Sequence, residues 1–350
     1  MTSRTRYFVI ASLLILTVGL GTGLLAYYVG FPTSASTRRG GPDELQFVPK
    51  DAAVIAYADV REVMNSELRQ RVKAAAKVHE DGQREFRDET GINIETDIDR
   101  VVAYLDPGQG DQTSDGGLVL ARGRFDEVRI ESLIREHGGR VEDYGGKRVL
   151  VVDTHWHAKN DMSSPDRPDG PDTDGRRRTE SLALSFLEPG LAAVGNATLV
   201  RKAIDLQHGG ENVTANDALM DQIRSLDGGN AWAVGRFDQL RGRAHLPQQV
   251  ASQIPDITWF SVSSHIDGGL RGTVRAEARD EAAANNLRDV VRGFMALARM
   301  QTSSKPELQT MLQSLELGGA GKTVSLSFTV PAELFDTLGA AANGHKQPGR

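Results

Sequence analysis

Residues 257–278 read ITWFSVSSHIDGGLRGTVRAEA. Asp267-Gly268-Gly269 is a turn signal between two runs rich in strand-forming residues, which predicts antiparallel strands over Ile257 to Ile266 and Leu270 to Ala278. In the second run Leu270, Gly272, Val274 and Ala276 alternate with Arg271, Thr273, Arg275 and Glu277. Successive side chains of a strand point to opposite faces, so one face of this hairpin is apolar and the other is wet. Asp280 then stands as an N-cap, and Leu287, Val290, Val291, Phe294 and Ala298 recur behind it at helical spacing as one stripe.

The same grammar extends outward. Val141 to Tyr144 and Lys147 to Asp153 flank Gly145-Gly146, and Leu182 to Leu187 and Leu191 to Val194 flank Pro189-Gly190, an order that suits a type II turn. Thr323 to Val330 is a final strand, with a helix before it at about Pro306 to Leu315 and Pro331 placed to open another after it. The strict strand-helix alternation of a parallel sheet is absent. The pattern predicts an α+β fold, with antiparallel sheets and helices packed on one face, in two related halves, 47–228 and 229–342, preceded by one N-terminal transmembrane helix.

The two halves are suggested by a repeated joint. Ala121 to Val128 and Ala233 to Leu240 both match A-x-G-R-F-D-x-(V/L), a strand running into an aspartate that caps the next helix; Phe125 and Ile130 can form a hydrophobic staple in the first copy. An earlier strand, Ala53 to Ala58, meets Asp59 as N-cap with Glu62 three residues later, and Val60, Met64, Leu68 and Val72 continue at helical spacing. Arg124 and Arg236 have no capping or packing role in this reading.

Ahead of this body, Tyr7 to Phe31 (YFVIASLLILTVGLGTGLLAYYVGF) is an unbroken apolar run, long enough as a helix to span a bilayer core of about 30 Å. It is longer than the apolar region of a cleavable signal peptide, which favours a retained signal anchor over residues 1–31. Arg4 and Arg6 on one side and Arg38 and Arg39 on the other nearly tie in charge. The short amino-terminal tail with its terminal amine favours a cytoplasmic tail and an exported body. Gly19 and Gly23 have the spacing that lets two membrane helices approach, so a homodimer through them is open, although glycine is also common in single membrane helices. Residues 32–46, rich in Pro, Ser and Gly, read as a flexible tether; residues 158–179 read as a disordered insertion and 343–350 as a disordered tail.

Of the 350 residues, 39% are hydrophobic and 25% charged, the balance of a folded chain, and the formal net charge is −6. No basic stripe is present, which argues against a nucleic-acid partner. The absence of cysteine excludes disulfides, thiolate metal sites and thiol nucleophiles.

Asp153, His155 and His157 alternate at a strand end and so share a face, a spacing that can bring two imidazoles to one metal ion. A structural or catalytic zinc needs three or four convergent ligands and only two histidines are placed; Val149 and Val151 on that face point to a core that the strand then leaves for a Pro-, Asp- and Gly-rich loop, so the solvated-rim reading is preferred to the metal site. Asp172 and Asp174 before Gly175 are a fragment of a calcium loop without its first ligand or closing glutamate. Gly318 to Thr323 ends like a phosphate loop but lies after a helix and before a strand, the reverse of that motif, and reads as a turn. No other catalytic motif and no cofactor-binding motif is found.

An opening like FVPKDAAVIAYADVREV, a segment like TGINIETDIDRVVAYL and a later LSFLEPGLAAVGN give residues 47–340 a resemblance to a loose group of uncharacterised bacterial envelope proteins with an amino-terminal anchor. The resemblance implies a periplasmic or surface location and carries no catalytic residue. The expectation is a membrane-tethered extracytoplasmic binding or scaffold protein whose partner is an envelope protein or ligand. The alternatives are a metal-assisted hydrolase using His155 and His157, and a cytoplasm-facing membrane-anchored regulator.

Overall fold

The computed structural model describes residues 41–75, 80–106, 116–154, 180–226, 228–240, 255–301 and 306–331. The expected anchor with Gly19 and Gly23, the first part of the tether, His155, His157, the 158–179 insertion, Asp172 and Asp174, and everything after Pro331 lie outside these residues. Among the described residues no helix is long and apolar enough to cross a membrane.

A 3-10 helix, Asp43–Phe47, comes first. Strand β1 (Val54–Ala58) is followed by helices α1 (Val60–Asn65), α2 (Glu67–Ala75), α3 (Glu80–Thr90) and α4 (Ile94–Asp97), then strands β2 (Ile98–Asp106) and β3 (Gly116–Gly123). Helix α5 (Glu127–Glu136) precedes β4 (Arg140–Tyr144), β5 (Lys147–Thr154), β6 (Glu180–Glu188) and β7 (Leu191–Asn196). Helices α6 (Ala197–His208) and α7 (Asp217–Arg224) lead to β8 (Ala231–Arg236) and α8 (Phe237–Leu240). The chain then runs through β9 (Ile257–Ile266), β10 (Gly269–Ala278), α9 (Glu281–Gln301), α10 (Pro306–Gln313), β11 (Glu316–Gly318) and β12 (Thr323–Pro331).

Local chemistry sets many of these boundaries. Asp59, Asp126 and Asp280 accept hydrogen bonds from the backbone N–H groups of Glu62, Arg129 and Ala283 at 2.9, 3.0 and 2.8 Å, each satisfying a donor that a helix start leaves without an intrahelical partner. The stretch expected as one helix after Asp59 is two, because Ser66 interrupts it: its hydroxyl donates to Val63 O and accepts from Arg69 N. Gly190 adopts φ 73°, the positive angle that the third position of a type II turn requires.

All the strands of the described residues join in one twelve-stranded sheet of order β11-β12-β10-β9-β8-β1-β2-β3-β7-β6-β5-β4, and every neighbouring pair is antiparallel. The expected separate sheets are therefore continuous. They meet where β1 pairs with β8, from Val54 opposite Gly235 to Ala58 opposite Ala231. Tyr57 stacks on Trp232 there, with ring centroids 5.5 Å apart. Gly235 is required at this seam, because a Cβ would stand 2.7 Å from the Phe260 ring and 2.9 Å from Val54 Cγ2.

The order strand, helical excursion, antiparallel pair, helix, further strands runs once from β1 and again from β8. The two GRFD copies end β3 and β8, which hold different places in that order. Phe125 packs with Ile130 as the staple expects and lies 6.0 Å from the Phe186 ring. Asp238 does not precede its helix; it lies inside α8 and pairs with Arg236 at 2.6 Å.

Helices cover both faces, which corrects the one-sided arrangement expected from the sequence. Val149 and Val151 of β5 join the main core with Val200, Ala203 and Ile204 of α6, whereas Leu150 and Val152 of the same strand face α5 through Ile130 and Ile134. On what we call the front face, α6, α7 and the 3-10 helix bury Ile55, Tyr57, Val102, Leu120 and Trp232. Across β9, β10 and β12 the core changes sides: Ile266, Leu270, Val330 and Val324 pack on the back against Leu68 of α2 and against α9 and α10.

The tether ends sooner than Gln46. Glu44, Leu45 and Phe47 are buried, and Glu44, with 0% exposure, accepts from Arg100 Nε at 2.9 Å and Arg122 Nε at 2.8 Å through one oxygen. Arg122 also reaches Glu188 at 3.1 Å. The other Glu44 oxygen has no hydrogen-bond partner among the described residues. The outer strands are blunt: β4 carries Arg140, Glu142 and Asp143, while β11 is three residues long. Ser314 takes both Thr329 N and Thr329 O of β12, at 2.9 and 2.8 Å.

Burial pushes the Glu44 carboxyl up, but the hydrogen bond from Arg122, a backbone hydrogen bond and Arg100 together hold it below the ordinary carboxylate range. A carboxylate lowered in the folded chain contributes stability above its unfolded pKa and loses it as pH falls through the folded value. Glu44→Gln is expected to cost about 3 kcal/mol at pH 7, the scale for breaking a buried ion pair. In urea titrations the gap between the two proteins is expected to close as pH falls below about 4.

Candidate functional site

Among the described residues the face change leaves one stretch of the front without a covering helix. On the front of β9, β10 and β12 the pairing sets polar residues in rungs: Ser263 beside Thr273 beside Ser327, Ser261 beside Arg275 beside Ser325, and His265 beside Arg271 beside Thr329. The alternation that buries Leu270 on the back delivers Arg271 and Thr273 to the front. A cleft of about 440 Å³ lies here, lined by Ser263, His265, Arg271, Thr273, Glu316 and Ser327, with Gly228 and Ser314 at its margins.

The floor is braced. Thr273 Oγ1 and Ser327 Oγ share a hydrogen bond at 3.2 Å. Asp267, in the β9–β10 turn, lies 3.3 Å from Arg271 and 3.9 Å from His265 Nε2, holding the cationic end. Arg275 donates to Ser225 O at 2.6 Å, and Gln222 donates to Glu277 at 2.9 Å, so the end of α7 is tied to the polar strands. Such a surface offers hydroxyl donors and acceptors, a guanidinium, an imidazole and a carboxylate on a rigid sheet. That is equipment for recognising a polar ligand by hydrogen bonds.

The sequence pattern showed this face as wet but did not gather it, because the rungs depend on pairing between β10 and β12, some fifty residues apart. Asp153 sits where expected, on the face shared with the buried Val149 and Val151. It is engaged by Arg140 and by the Ser181 hydroxyl, the latter at 2.7 Å. Its expected fellow ligands His155 and His157 lie outside the described residues, and among the described residues no group of three or more His, Cys, Asp or Glu is placed to hold a metal. Gly318 to Thr323 is the turn between β11 and β12. The two arginines without a role acquire one: Arg124 donates to Thr96 O and pairs with Asp97, and Arg236 pairs with Asp238 and lies 5.8 Å from the centre of the Trp259 ring.

A second polar cluster lies at the end of β1. Burial pushes the Asp59 carboxyl up. Burial, and then the nearby Asp59 charge, push Glu62 up to about 7. Arg61 pairs with Asp99 alongside. The buried Asn230 amide and Trp232 Nε1 have no hydrogen-bond partner among the described residues.

No protein-family model, characterised protein or solved structure matches the chain.

Glu62 gives a prediction with a definite sign. With a folded pKa near 7 and an unfolded value near 4.3, the folded chain binds more protons between those limits, so stability falls as pH rises through 7. Glu62→Gln is expected to melt above the wild type at pH 8 in a thermal scan, and the difference is expected to shrink as pH is lowered to 5.

Proposed function

We propose that the chain is a membrane-tethered extracytoplasmic binding protein that holds a polar, hydroxyl- or amide-bearing ligand, the chemistry of a glycan, in the cleft on the front of β9, β10 and β12. The cleft is the observation that carries the reading: an open, hydroxyl-floored concavity is present where the rest of the front face is closed by helices. The tether belongs to the proposal through the apolar run Tyr7 to Phe31 and the amino-terminal charges.

Two experiments test the two parts. A reporter active only after export, fused at Gly344, is expected to be active. Replacing Arg4 and Arg6 by glutamate is expected to weaken or invert that result, and a fusion active only in the cytoplasm would refute the location. For the ligand, titration calorimetry with the disaccharide of β-1,4-linked N-acetylglucosamine is expected to show saturable binding. A Thr273→Val, Ser327→Ala double variant is expected to weaken it about tenfold, the worth of one or two hydrogen bonds. Equal binding by both proteins would place the ligand elsewhere, and no binding by either would remove the glycan reading.

A further inference from the structure

Two buried polar groups stand at the β8 side of the cleft. Asn230 has 0% and Trp232 2% exposure, and neither the Asn230 amide nor Trp232 Nε1 has a hydrogen-bond partner among the described residues. Buried polar groups in native proteins are nearly always paired, so each of these calls for a partner.

The sheet places both beside the hydroxyl floor. Trp232 is opposite Ser263, Ser263 opposite Thr273 and Thr273 opposite Ser327, so the indole extends the central rung of the cleft by one strand. Residues directly opposite in an antiparallel pair project on the same face. Asp59 N donates to Asn230 O at 2.6 Å, which carries the β1–β8 pairing one residue past Ala58 and Ala231. Because Ala231 is opposite Ser264, Asn230 falls beside His265. The two unpartnered groups therefore extend the two rungs whose other members line the cleft.

We propose that Asn230 and Trp232 form a subsite for an acetamido group, so that the cleft selects N-acetylated sugars over sugars bearing only hydroxyls. This rests on the cleft being the ligand site and adds which glycan it takes. The groups left over are the indole N–H, the amide N–H donors and the amide oxygen. An acetamido group answers both kinds: its carbonyl offers two lone pairs to the donors, and its N–H finds an acceptor in the amide oxygen or the Ser263 hydroxyl. Reach decides against a plain hydroxyl. Neighbouring strands lie about 4.8 Å apart, so a sugar resting on Ser263 and Thr273 meets the pair only through a group that stands off its ring. A hydroxyl is bonded directly to the ring, whereas the acetamido carbonyl lies beyond an intervening nitrogen. Gly228 lines the cleft just ahead of Asn230, and nothing stands within 4 Å of where its Cβ would be, so the turn has room to give way.

Titration calorimetry on the full chain in detergent compares the β-1,4-linked disaccharides of N-acetylglucosamine and of glucose. The N-acetylated sugar is expected to bind at least about tenfold tighter, the worth of one or two hydrogen bonds. Trp232→Phe keeps a ring against Tyr57 and removes the N–H, while Asn230→Leu keeps a similar volume and removes the amide. Each is expected to lower that ratio about fivefold, with the affinity for the glucose disaccharide unchanged. Thermal melts identify a variant that fails to fold, and the other then carries the test. In NMR spectra of the tryptophan-labelled chain, the Trp232 Nε1–H resonance, assigned by its loss in Trp232→Phe, is expected to shift with the N-acetylated disaccharide and not with the glucose one. Equal affinity of the wild type for both sugars would overturn the subsite and leave the cleft reading standing. An undiminished preference in the folded variants would overturn it as well. Binding of neither sugar would remove the cleft reading, and the subsite with it.

Discussion

Five residue pairs join β1 to β8, and the face on which each side chain of the sheet lies is tied to them. A strand repeats every two residues, so a slip of one at this seam would exchange front for back across one half and expose what the other buries. Two contacts oppose a slip. The Tyr57 and Trp232 rings stack across the join, and Gly235 admits the Phe260 ring where any side chain would collide. Glu44 adds a constraint from outside the sheet, tying the incoming chain to Arg100 of β2 and Arg122 of β3.

The cleft is a consequence of that geometry combined with where the covering helices end. Up to β8 the front is apolar and lies under α6 and α7. Beyond it the apolar residues move to the back, under α2, α9 and α10, and serine, threonine and arginine take the front. Small hydroxyl side chains form the floor, and Gly228 of the turn before β8, Ser314 and Glu316 line it too. The result is a concavity on a part of the fold that cannot flex without disturbing the sheet, and rigid placement of polar groups favours recognition.

Much of this was legible residue by residue. The hairpins around Gly145-Gly146, Pro189-Gly190 and Asp267-Gly268-Gly269 and the caps at Asp59, Asp126 and Asp280 depend on neighbours within a few positions, and they form as the sequence pattern predicts. What escaped depends on distant partners. Nothing near Asp43 to Phe47 announces a buried carboxylate, because the two arginines that donate to it are 56 and 78 residues away. The use of both faces was hidden for the same reason: β5 reads VLVV, apolar on either side, and which helix meets which side is decided by topology. The two GRFD copies end β3 and β8, where a strand hands over to a helical segment, and what differs between them is whether the aspartate caps the helix or lies inside it. The hydroxyl floor was visible in part, as the wet face of one hairpin, but without the pairing of β10 to β12 it was not a site.

The blunt edges of the sheet bear on how such molecules behave side by side. An open strand edge is a template, and a twelve-stranded sheet has two of them. At one end, β4 is five residues long and carries Arg140, Glu142 and Asp143, and charged side chains on an edge strand disfavour the addition of another. At the other, β11 offers three residues, and Ser314 already occupies the Thr329 N–H and carbonyl that a newcomer would need. Chains gathered densely on a surface, as tethered ones would be, are thereby kept from knitting into ribbons, and crowding leaves the front cleft of each facing its surroundings as an independent unit.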